Sequence, residues 1–475
     1  NGTPSFDNQP PALPAPHLFE STENPATQFY DYILAPQAVF NPVVLSEIIL
    51  PNGLKYKFEY NQYGEIAKVT YPTGAFEQCK YGQIVSINSL RSPYNQSNRG
   101  VIARWVSPSG TGTDRGEPWR YGATYDSATN IYIQWAAEPN NKLYTERYLF
   151  KTVPSLQNPT KFGFEDPRNG MVYDERVYEY QNGPMLRRKL IDWAYSAQNV
   201  TTTFNGVTTT ATAMRNPRPT KEVSLILDTG GDALAKTLTY QYDTTYQLST
   251  GLDLTLSTET HFATVDQTTA QTGLIGVIPS GQLARSAETV YLSDTAYRNR
   301  NILGLATSII LKDANGQAVS KTETFYDEAS YSVSIAGQAI GWTDPATSVR
   351  GNATTSKRYT DLISNLYLES HASYDQWGNV RSTWDARGIQ SQVDYLDSFS
   401  DGVNRNTFAY ATSATTAVPD PTGAHGSNAP LTSSSVFDYT TGLALSSTDA
   451  NAQTTQFSYR DEQNALDPLN RLRKV

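Results

Sequence analysis

One short stretch of this chain recurs with its glycines and aromatic residues at the same positions. "YNQYGEIAKVTYPTGAFEQCKY" runs from Tyr60 to Tyr81, and "YDQWGNVRSTWDARGIQSQVDY" runs from Tyr374 to Tyr395. In both stretches one glycine stands four residues after the opening tyrosine and another stands fourteen residues after it. A piece this small cannot bury a core alone, so a chain that repeats it is expected to lay similar pieces side by side.

A third copy, "FDYTTGLALSSTDANAQTTQFSY", is one residue longer and runs from Phe437 to Tyr459. Gly442 stands in place of the first glycine and Asn451 in place of the second, and asparagine tolerates positive φ better than most residues. The final "DPLNRLRKV" resembles half of another copy, with Asn470, Arg471 and Leu472 in its turn.

We interpret each copy as strands joined by turns. The glycines supply positive φ in the turns, and each tyrosine or phenylalanine marks where a strand begins, with its ring on the neighbouring copy. The positions that define the repeat are Tyr60, Gly64, Gly74, Tyr81, Tyr374, Asp375, Gly378, Asp385, Gly388, Tyr395, Phe437, Gly442 and Tyr459.

The rest of the chain has the composition and turn signals of an all-β protein. Its 31 tyrosines outnumber its 16 phenylalanines, as suits half-buried sheet faces. Hairpin signals stand between β-prone runs at Asn52-Gly53, Asn182-Gly183, Gly230-Gly231 and Asn315-Gly316. Asp266 is the best helix cap, but glycines and a proline soon interrupt the segment after it, leaving room for one or two helical turns. The sequence therefore predicts meandering antiparallel β-hairpins.

Composition divides the chain into four segments. Residues 1–45 are rich in proline and aromatic residues and should be extended, either docked as a strap or free as a leader. Residues 46–110 and 361–475 carry the clear copies, the last of them incomplete. Residues 111–360 hold weaker echoes at Tyr173, Tyr240 and Phe325, which indicates degenerate repeats with insertions; an unrelated inserted β-sandwich is the rival interpretation.

Charge and residue usage exclude several classes of protein. The formal net charge of -9 argues against nucleic-acid binding, and no apolar run is long enough to span a membrane. The single cysteine, Cys79, is read as small buried filler, with a reactive thiol as the alternative. The four histidines form no metal-binding spacing, so we expect no cofactor and no metal.

The copies resemble the YD repeat of the RHS-repeat family, whose units run from a Tyr-Asp pair through two glycines to a tyrosine. In the second copy the matching positions are Tyr374, Asp375, Gly378, Val380, Arg381, Thr383, Asp385, Gly388 and Tyr395. In the first copy they are Tyr60, Gly64, Ile66, Lys68, Val69, Gly74 and Tyr81, with Asn61 at the aspartate position. The resemblance implies a β-ribbon that spirals into a hollow shell, which encloses a toxin or supports adhesion in larger members.

One feature of that family is missing. Resembling members cleave themselves at an Asp-Pro-x-Gly pair, but no Asp-Pro of this chain has glycine two residues after the proline. The Asp-Pro pairs are Asp166-Pro167, Asp344-Pro345, Asp420-Pro421 and Asp467-Pro468. Toxin release is therefore not inferred.

Carboxylates are the best catalytic candidates in a chain without nucleophile or nucleotide-binding motifs. The stretch "GFEDPRNGMVYDER" holds Glu165, Asp166, Asp174 and Glu175 beside Arg168 and Arg176. Two of these carboxylates could act as the acid and base of a glycosidase. A charged loop with local ion pairs is the simpler interpretation, and we predict that the protein is not an enzyme.

Tryptophans are the best candidates for a binding surface. Indole rings on a flat sheet can stack on sugars, with structural packing between repeats as the alternative. The candidate carbohydrate platform comprises Trp105, Trp119, Trp135, Trp377 and Trp384.

The expected function is a secreted or cell-surface scaffold, adhesin or shell without enzymatic activity. A last unit that is half a repeat would leave an open sheet edge, so pairing with further copies of the chain is expected. The alternatives are a carbohydrate-binding module that contacts surface glycans and the shell fragment of a toxin-delivery protein.

Overall fold

A computed structural model describes most of the chain. The described residues are 19–23, 30–34, 44–50, 52–61, 64–84, 99–126, 128–129, 131–150, 167–204, 207–228, 230–243, 253–335, 337–420, 422–461, 464–467 and 470–475. Most of the proline-rich segment, and Glu165 and Asp166 of the candidate catalytic cluster, lie outside them.

The chain forms two compact units. Unit 1 comprises Asn1–Tyr240, Thr244–Leu252 and Glu259–Leu283. Unit 2 comprises Gln241–Asp243, Asp253–Thr258 and Ala284–Val475. This division into two units does not test the four segments expected from composition, which remain a prediction.

Strands account for nearly all the regular structure that the model describes. Up to residue 265 they are β1 (Phe19–Glu23), β2 (Tyr30–Leu34), β3 (Glu47–Ile49), β4 (Lys55–Tyr60), β5 (Ile66–Thr70), β6 (Phe76–Gln83), β7 (Arg99–Ser107), β8 (Trp119–Asp126), β9 (Ile131–Ala137), β10 (Tyr144–Leu149), β11 (Val172–Tyr178), β12 (Met185–Phe204), β13 (Val207–Ile226), β14 (Ala233–Tyr242), β15 (Leu254–Thr260) and β16 (Ala263–Val265). The later strands are β17 (Leu283–Tyr291), β18 (Ala306–Asp313), β19 (Ala318–Tyr326), β20 (Ser332–Val333), β21 (Ala353–Asp361), β22 (Leu366–Asp375), β23 (Val380–Trp384), β24 (Gln390–Asp394), β25 (Ser413–Thr415), β26 (Thr432–Phe437), β27 (Ala444–Thr448) and β28 (Thr454–Gln456).

The α-helices among the described residues are short. They are α1 (Gln267–Thr272) and α2 (Thr295–Arg298), and single 3-10 turns occur at Pro139–Asn141 and Ala329–Tyr331. Neither helix has the length or the apolar character needed to cross a lipid bilayer.

The strands pair in chain order, as hairpins that follow one another do. In unit 1 each strand from β3 to β14 is antiparallel to the next. In unit 2 the same holds from β17 to β28, except that β19 pairs with β21 and the short β20 runs parallel to β22. The prediction of an all-β fold of meandering antiparallel hairpins is confirmed.

Unit 1 has an apolar core where α1 packs on the sheet. The Asp266 carboxylate accepts a hydrogen bond from the Thr269 amide, which caps α1, and the helix ends before Gly273. Ala270 of α1 is fully buried against strand residues. The buried cluster comprises Leu190, Val223, Leu225, Leu227, Ala233, Ala235, Val265, Ala270 and Ile278.

Unit 2 is organised differently, because its central strands bury little. No side chain of the fully described strands β18 and β19 is buried, and residues on both faces stay partly accessible. A sheet of this kind depends on its hydrogen-bond ladder and on pairs of side chains across strands. The Tyr359 hydroxyl of β21 donates to Glu323 of β19 at 2.7 Å across the strands, and Glu323 also forms an ion pair at 2.7 Å with Lys321 of its own strand.

Candidate functional site

The first two copies of the repeat share the geometry of their turns. The Gly64 amide donates to the Asn61 carbonyl and the Gly378 amide to the Asp375 carbonyl, both at 3.0 Å. In the second turn of the later copy the Gly388 amide donates to the Asp385 carbonyl at 2.8 Å. The φ values are 75° for Gly64, 92° for Gly378 and 77° for Gly388, which glycine adopts without strain. The glycines therefore stand where the chain reverses.

Aspartate side chains close these turns from within. In the opening turn, Oδ1 of Asp375 accepts hydrogen bonds from the amides of Trp377 at 3.0 Å and Asn379 at 2.9 Å. In the next turn, Oδ1 of Asp385 accepts from the amides of Arg387 and Ile389, both at 2.9 Å. Aspartate is common in turns because its carboxylate can satisfy local amides in this way.

The third copy corrects one prediction. The positive φ of its second turn belongs to Ala452, at 63°, and not to Asn451. The extra residue lies in the first turn, where the Gly442 amide donates to Asp438, four residues before it. Every later position shifts by one, so the Ala452 amide donates to Asp449 as Gly388 does to Asp385.

The aromatic positions also differ from expectation, because they end strands and do not begin them. Tyr60 is the last residue of β4, Phe437 is the last of β26, and Tyr374 is the last but one of β22. Tyr81 lies near the end of β6 and Tyr395 directly follows β24. At Tyr60, Tyr374 and Phe437 the strand ends because the Asn or Asp that follows starts the turn.

The tyrosine hydroxyls link successive strands of unit 2 in a continuous series. The Tyr374 hydroxyl donates to the Ala353 carbonyl at 2.9 Å, and Ala353 pairs in register with Tyr326. The Tyr326 hydroxyl donates to the Ala306 carbonyl at 2.8 Å, and Ala306 pairs with Tyr291. The Tyr291 hydroxyl donates to the Leu254 carbonyl at 2.9 Å. We call Tyr291, Tyr326 and Tyr374 the tyrosine ladder.

Unit 1 contains the same contact. The Tyr81 hydroxyl donates to the Ile66 carbonyl at 3.0 Å, and Ile66 pairs in register with Tyr60. The Tyr60 hydroxyl in turn donates to the Leu45 carbonyl at 2.7 Å. The contact is therefore a property of the repeat and occurs in both units.

Burial keeps the ladder tyrosines in their donating form. It is the largest cause of a raised pKa for Tyr291, Tyr326 and Tyr374. The negative charge of Asp253 adds to the effect for Tyr291, and that of Asp327 adds to it for Tyr374. A raised pKa preserves the proton that each hydroxyl donates to a carbonyl.

Long insertions occupy the opening turns of several degenerate repeats in unit 2. In the clear copy the Asp375 amide donates to the carbonyl of Asn379, four residues later. The equivalent amide of Asp327 donates to the carbonyl of Asn352, much further along the chain, at 2.9 Å. Likewise, the Leu292 amide donates to the Leu305 carbonyl at 2.8 Å, and the Thr412 amide donates to the Asp394 carbonyl at 2.9 Å. The resulting insertions are residues 293–304, 328–351 and 395–411. Tyr326 and Asp327 form a Tyr-Asp pair. The sequence places this pair in one of the weaker copies of the repeat but does not indicate the insertion that follows it.

The insertions contact one another. The Ile340 amide donates to the Asn406 carbonyl at 3.0 Å, which joins the second insertion to the third. The Tyr297 hydroxyl of the first insertion is hydrogen-bonded to Asp327, and burial followed by this contact raises its pKa. Asp327 also accepts from the amides of Arg350, Gly351 and Asn352. Hydrogen bonds therefore connect the second insertion to the third, and the first insertion to Asp327 at the start of the second.

The candidate tryptophan platform does not form in unit 1. Trp119 pairs in register with Arg104, so it lies on the opposite face of the sheet from Trp105. Trp135 pairs with Gly122, and its ring covers that glycine so closely that no Cβ would fit there. The Trp135 ring also stacks on Tyr144 at 6.0 Å. Trp119 therefore lies on one face and Trp105 and Trp135 on the other, so the three indoles do not form one platform.

In unit 2, Trp377 and Trp384 belong to two separate aromatic clusters. The Trp377 ring stacks on Phe408 of the third insertion, with 4.0 Å between ring centroids. The Trp384 ring lies 5.7 Å from Tyr331, which itself stacks on His371 at 4.7 Å. Both indoles are partly buried. The rings pack within the protein, and glycan binding stays an untested prediction.

The described part of the carboxylate cluster is engaged in ion pairs. Asp174 is buried and receives two hydrogen bonds from Arg188, of 3.0 Å and 2.7 Å, and two from Arg176. Arg188 also donates to the carbonyls of Ala270 at 3.0 Å and Gly273 at 2.8 Å, at the end of α1. Although burial opposes it, the hydrogen bond with Asp174 raises the pKa of Arg176. Asp174 thus anchors α1 to the sheet through Arg188.

Cys79 lies on β6 opposite Arg104. Its side chain is partly buried, and that burial, assisted by the negative charge of Glu77, raises the pKa of the thiol. A raised pKa disfavours the nucleophilic thiolate. This environment favours the interpretation of Cys79 as structural filler.

No protein-family model matches the chain, and no curated protein matches it. Among solved structures, the crystal structure of TcdB2-TccC3 is similar over 92% of this chain and 27% of that chain, with a TM-score of 0.44 and 9% identity. The crystal structure of TcdB2-TccC3-TEV is similar over 86% of this chain and 24% of that one, with a TM-score of 0.44 and 9% identity. The Photorhabdus luminescens Tc holotoxin pore is similar over 87% and 20%, with a TM-score of 0.25 and 11% identity.

The chain therefore spans about a quarter of the length of the first solved chains that it matches. Because these identities and TM-scores are low, the fold is assigned from the strand pairing of this chain alone.

Proposed function

We propose that this chain is a structural scaffold of the RHS or YD-repeat type, without enzymatic activity of its own. The observation that carries the proposal is the tyrosine ladder, in which each copy is bonded to the preceding one through a side chain that defines the repeat. A residue that recurs in order to join building units is typical of an architectural protein.

The accessibility of unit 2 supports the same function. No side chain of β18 or β19 is buried, and both faces of these two strands are partly exposed. A sheet of this kind is suited to act as a wall with two usable surfaces. The proposed role includes location outside the cell or at its surface, as the resemblance of the repeats to the RHS family suggests.

The proposal has two forms, a shell around a cargo and an adhesin that exposes both faces. A shell shields one face of its wall from large molecules, whereas an open sheet shields neither. Glu369 and Ser370 can report on this difference because they are adjacent on β22 and point to opposite faces.

The experiment uses cysteine labelling. Glu369→Cys and Ser370→Cys are made separately in a Cys79→Ser background, which removes the only native cysteine. Each folded variant is treated with a small maleimide and with a polyethylene-glycol maleimide of several kilodaltons. We expect the small reagent to label both variants and the large one to label a single variant, as a shell wall requires.

One further result would select between the two forms, and another would count against both. Labelling of both variants by the large reagent would reject the shell and leave the open adhesin. Failure of the small reagent at either position would show that the face is packed against a core, which would reject the scaffold wall in both forms. Denatured samples of each variant, which should react fully, control for thiol reactivity.

A further inference from the structure

Asp375 and Arg381 of the clearest repeat face each other without a hydrogen bond. Nη1 of Arg381 lies 4.0 Å from Oδ2 of Asp375. The Asp375 side chain is completely buried, and 15% of the Arg381 side chain is exposed. Both atoms are buried, and neither has a hydrogen-bond partner among the described residues. Orphaned buried polar atoms of this kind are rare and costly in folded proteins.

The remaining atoms of both side chains hold the pair in this arrangement. Oδ1 of Asp375 is engaged by the amides of Trp377 and Asn379 in the turn. Nη2 of Arg381 donates to Oδ1 of Asp394 at 2.9 Å. Moving either group to close the pair directly would strain these bonds.

A β-bulge brings the arginine to the aspartate. Tyr374 pairs with Val380 and Ser373 pairs with Ser382, so Arg381 is the extra residue between them. A bulge of this kind re-aims a side chain. Ser373 is two residues before Asp375 and therefore on the same face, and its buried hydroxyl also has no partner among the described residues.

The end of the chain repeats the spacing with another outcome. Asp467 and Arg473 are also six residues apart, and their carboxylate and guanidinium are in direct contact. The Asp467 side chain is completely buried, and Arg471 donates to it as well, at 3.0 Å. The carboxylate and guanidinium are thus in contact at Asp467 and Arg473 but 4.0 Å apart at Asp375 and Arg381, although the spacing in the sequence is identical.

We propose that Asp375, Arg381 and Ser373 form a binding site for a single ordered water molecule. The water accepts a hydrogen bond from Nη1 of Arg381 and donates one to Oδ2 of Asp375. Two atoms 4.0 Å apart can both lie at about 2.8 Å from one oxygen, the usual hydrogen-bond distance. The Ser373 hydroxyl supplies a third partner, the number that buried waters typically have.

The charges and the available room select water over other ligands. Inside the site the buried Asp375 carboxylate faces the Arg381 guanidinium, and the other carboxylate on Arg381, that of Asp394, is 51% exposed to solvent, so an additional ion would add uncompensated charge to the buried site. The separation between the two atoms accommodates one small molecule that both donates and accepts. The site would thus supply partners for three buried polar atoms of the Tyr374–Tyr395 repeat, those of Ser373, Asp375 and Arg381.

The first test is a high-resolution crystal structure of the full chain. We expect an ordered water at hydrogen-bond distance, about 2.7–3.2 Å, from both Oδ2 of Asp375 and Nη1 of Arg381. Direct contact between the two atoms, as at Asp467 and Arg473, would overturn the proposal. So would a well-ordered separation with no density between the atoms.

The second test counts buried waters in solution by oxygen-17 magnetic relaxation dispersion. A variant with Arg381→Met and Ser373→Ala leaves the water with one partner, and we expect the loss of one long-lived water. Arg473→Met is the matched control, because its ion pair is closed, and it should lose none. Equal dispersion amplitudes for the native chain and the double variant would reject the site, and if the double variant fails to fold, the crystal structure of the native chain decides.

Discussion

The hydroxyl of Tyr374 donates a hydrogen bond to the carbonyl of Ala353, at 2.9 Å. This bond crosses from the end of β22 to the start of β21, and the same relationship joins Tyr326 to Ala306 and Tyr291 to Leu254. Each ladder tyrosine thus fixes the end of its own strand to the start of an earlier one. Tyr60, Tyr81 and Tyr374, which mark the repeat in the sequence, each donate through the hydroxyl to a carbonyl earlier in the chain.

Removal of one ladder hydroxyl should weaken the sheet measurably. Tyr326→Phe keeps the ring but leaves the Ala306 carbonyl without its donor, so we expect the free energy of unfolding to fall by about 1 kcal/mol. Chemical denaturation of the full chain measures the change.

Tyr439→Phe is the matched control for that substitution. Tyr439 is 48% exposed, and its contact with Arg405 is made through the ring, which phenylalanine retains. We expect a change of less than about 0.5 kcal/mol, as for most surface substitutions. Equal effects of the two substitutions would remove the energetic role of the ladder.

The buried pair of Asp174 and Arg188 should be costly to break. Arg188→Met leaves the Asp174 carboxylate buried with only Arg176 as its ionic partner, and it releases the carbonyls of Ala270 and Gly273. We expect a loss of about 3–5 kcal/mol in unfolding free energy.

Lys55→Met tests the specificity of that prediction. Lys55 pairs with Glu47 at 3.0 Å, but 40% of the lysine side chain and 36% of the glutamate side chain are exposed. Such a pair is worth about 1 kcal/mol or less. A loss for Arg188→Met no larger than that for Lys55→Met would contradict the assigned role in anchoring α1.

Gly388 and Ala452 occupy equivalent turn positions with φ values of 77° and 63°. Gly388→Ala should destabilise the protein by about 1 kcal/mol, because alanine is strained at positive φ. Ala452→Gly should relieve that strain and be neutral or stabilising. Thermal unfolding of the two variants compares them, and a shift in the same direction for both would refute the proposed alignment of the third copy.

Stability should fall in acid because aspartates organise the third insertion. Although burial opposes it, hydrogen bonds from Thr407 and neighbouring amides lower the pKa of Asp397, and the hydrogen bond from Arg405 lowers the pKa of Asp401 to about 2. A carboxyl group whose pKa is lower in the folded state stabilises that state above its unfolded pKa of about 4. That contribution is lost as the pH falls towards 2.

Denaturation series between pH 5 and about pH 2 measure this loss of unfolding free energy. The range extends from above the ordinary aspartate pKa down to the lowered pKa of Asp401. Asp397→Asn should flatten the pH dependence, because the amide does not titrate. Asp344→Asn, at a side chain that is 65% exposed, is the control and should leave the slope unchanged. An unaltered slope for Asp397→Asn would exclude it as a source of the acid sensitivity.

The local features of the fold follow from the sequence because they depend on neighbouring residues. Gly64 and Gly378 mark turns through their backbone freedom, and Asp266 caps α1 through its own side chain. These interactions span a few residues, so spacing alone reveals them. Antiparallel hairpins follow directly from turns placed at such short intervals.

Features that depend on distant residues were missed. Tyr60 and Tyr374 lie at strand ends, where their hydroxyls reach the carbonyls of Leu45 and Ala353, and spacing does not encode these contacts. Nearness in sequence groups Trp105 with Trp119 in one candidate platform, but the register of β7 and β8 places them on opposite faces. The Tyr326-Asp327 pair was not recognised as the start of a copy, because an insertion follows Asp327 and the repeat continues only at Asn352.

The most direct test of the account is hydrogen exchange measured across unit 2 of the full chain. If the tyrosine ladder joins the hairpins, amides paired between β18, β19, β21 and β22 should exchange through one shared opening, with a single free energy. Tyr326→Phe should lower the protection of all these strands together. Separate opening of each hairpin, or loss of protection confined to Tyr326 and its nearest neighbours, would contradict the claim that the repeat is a unit joined to its neighbours by its tyrosines.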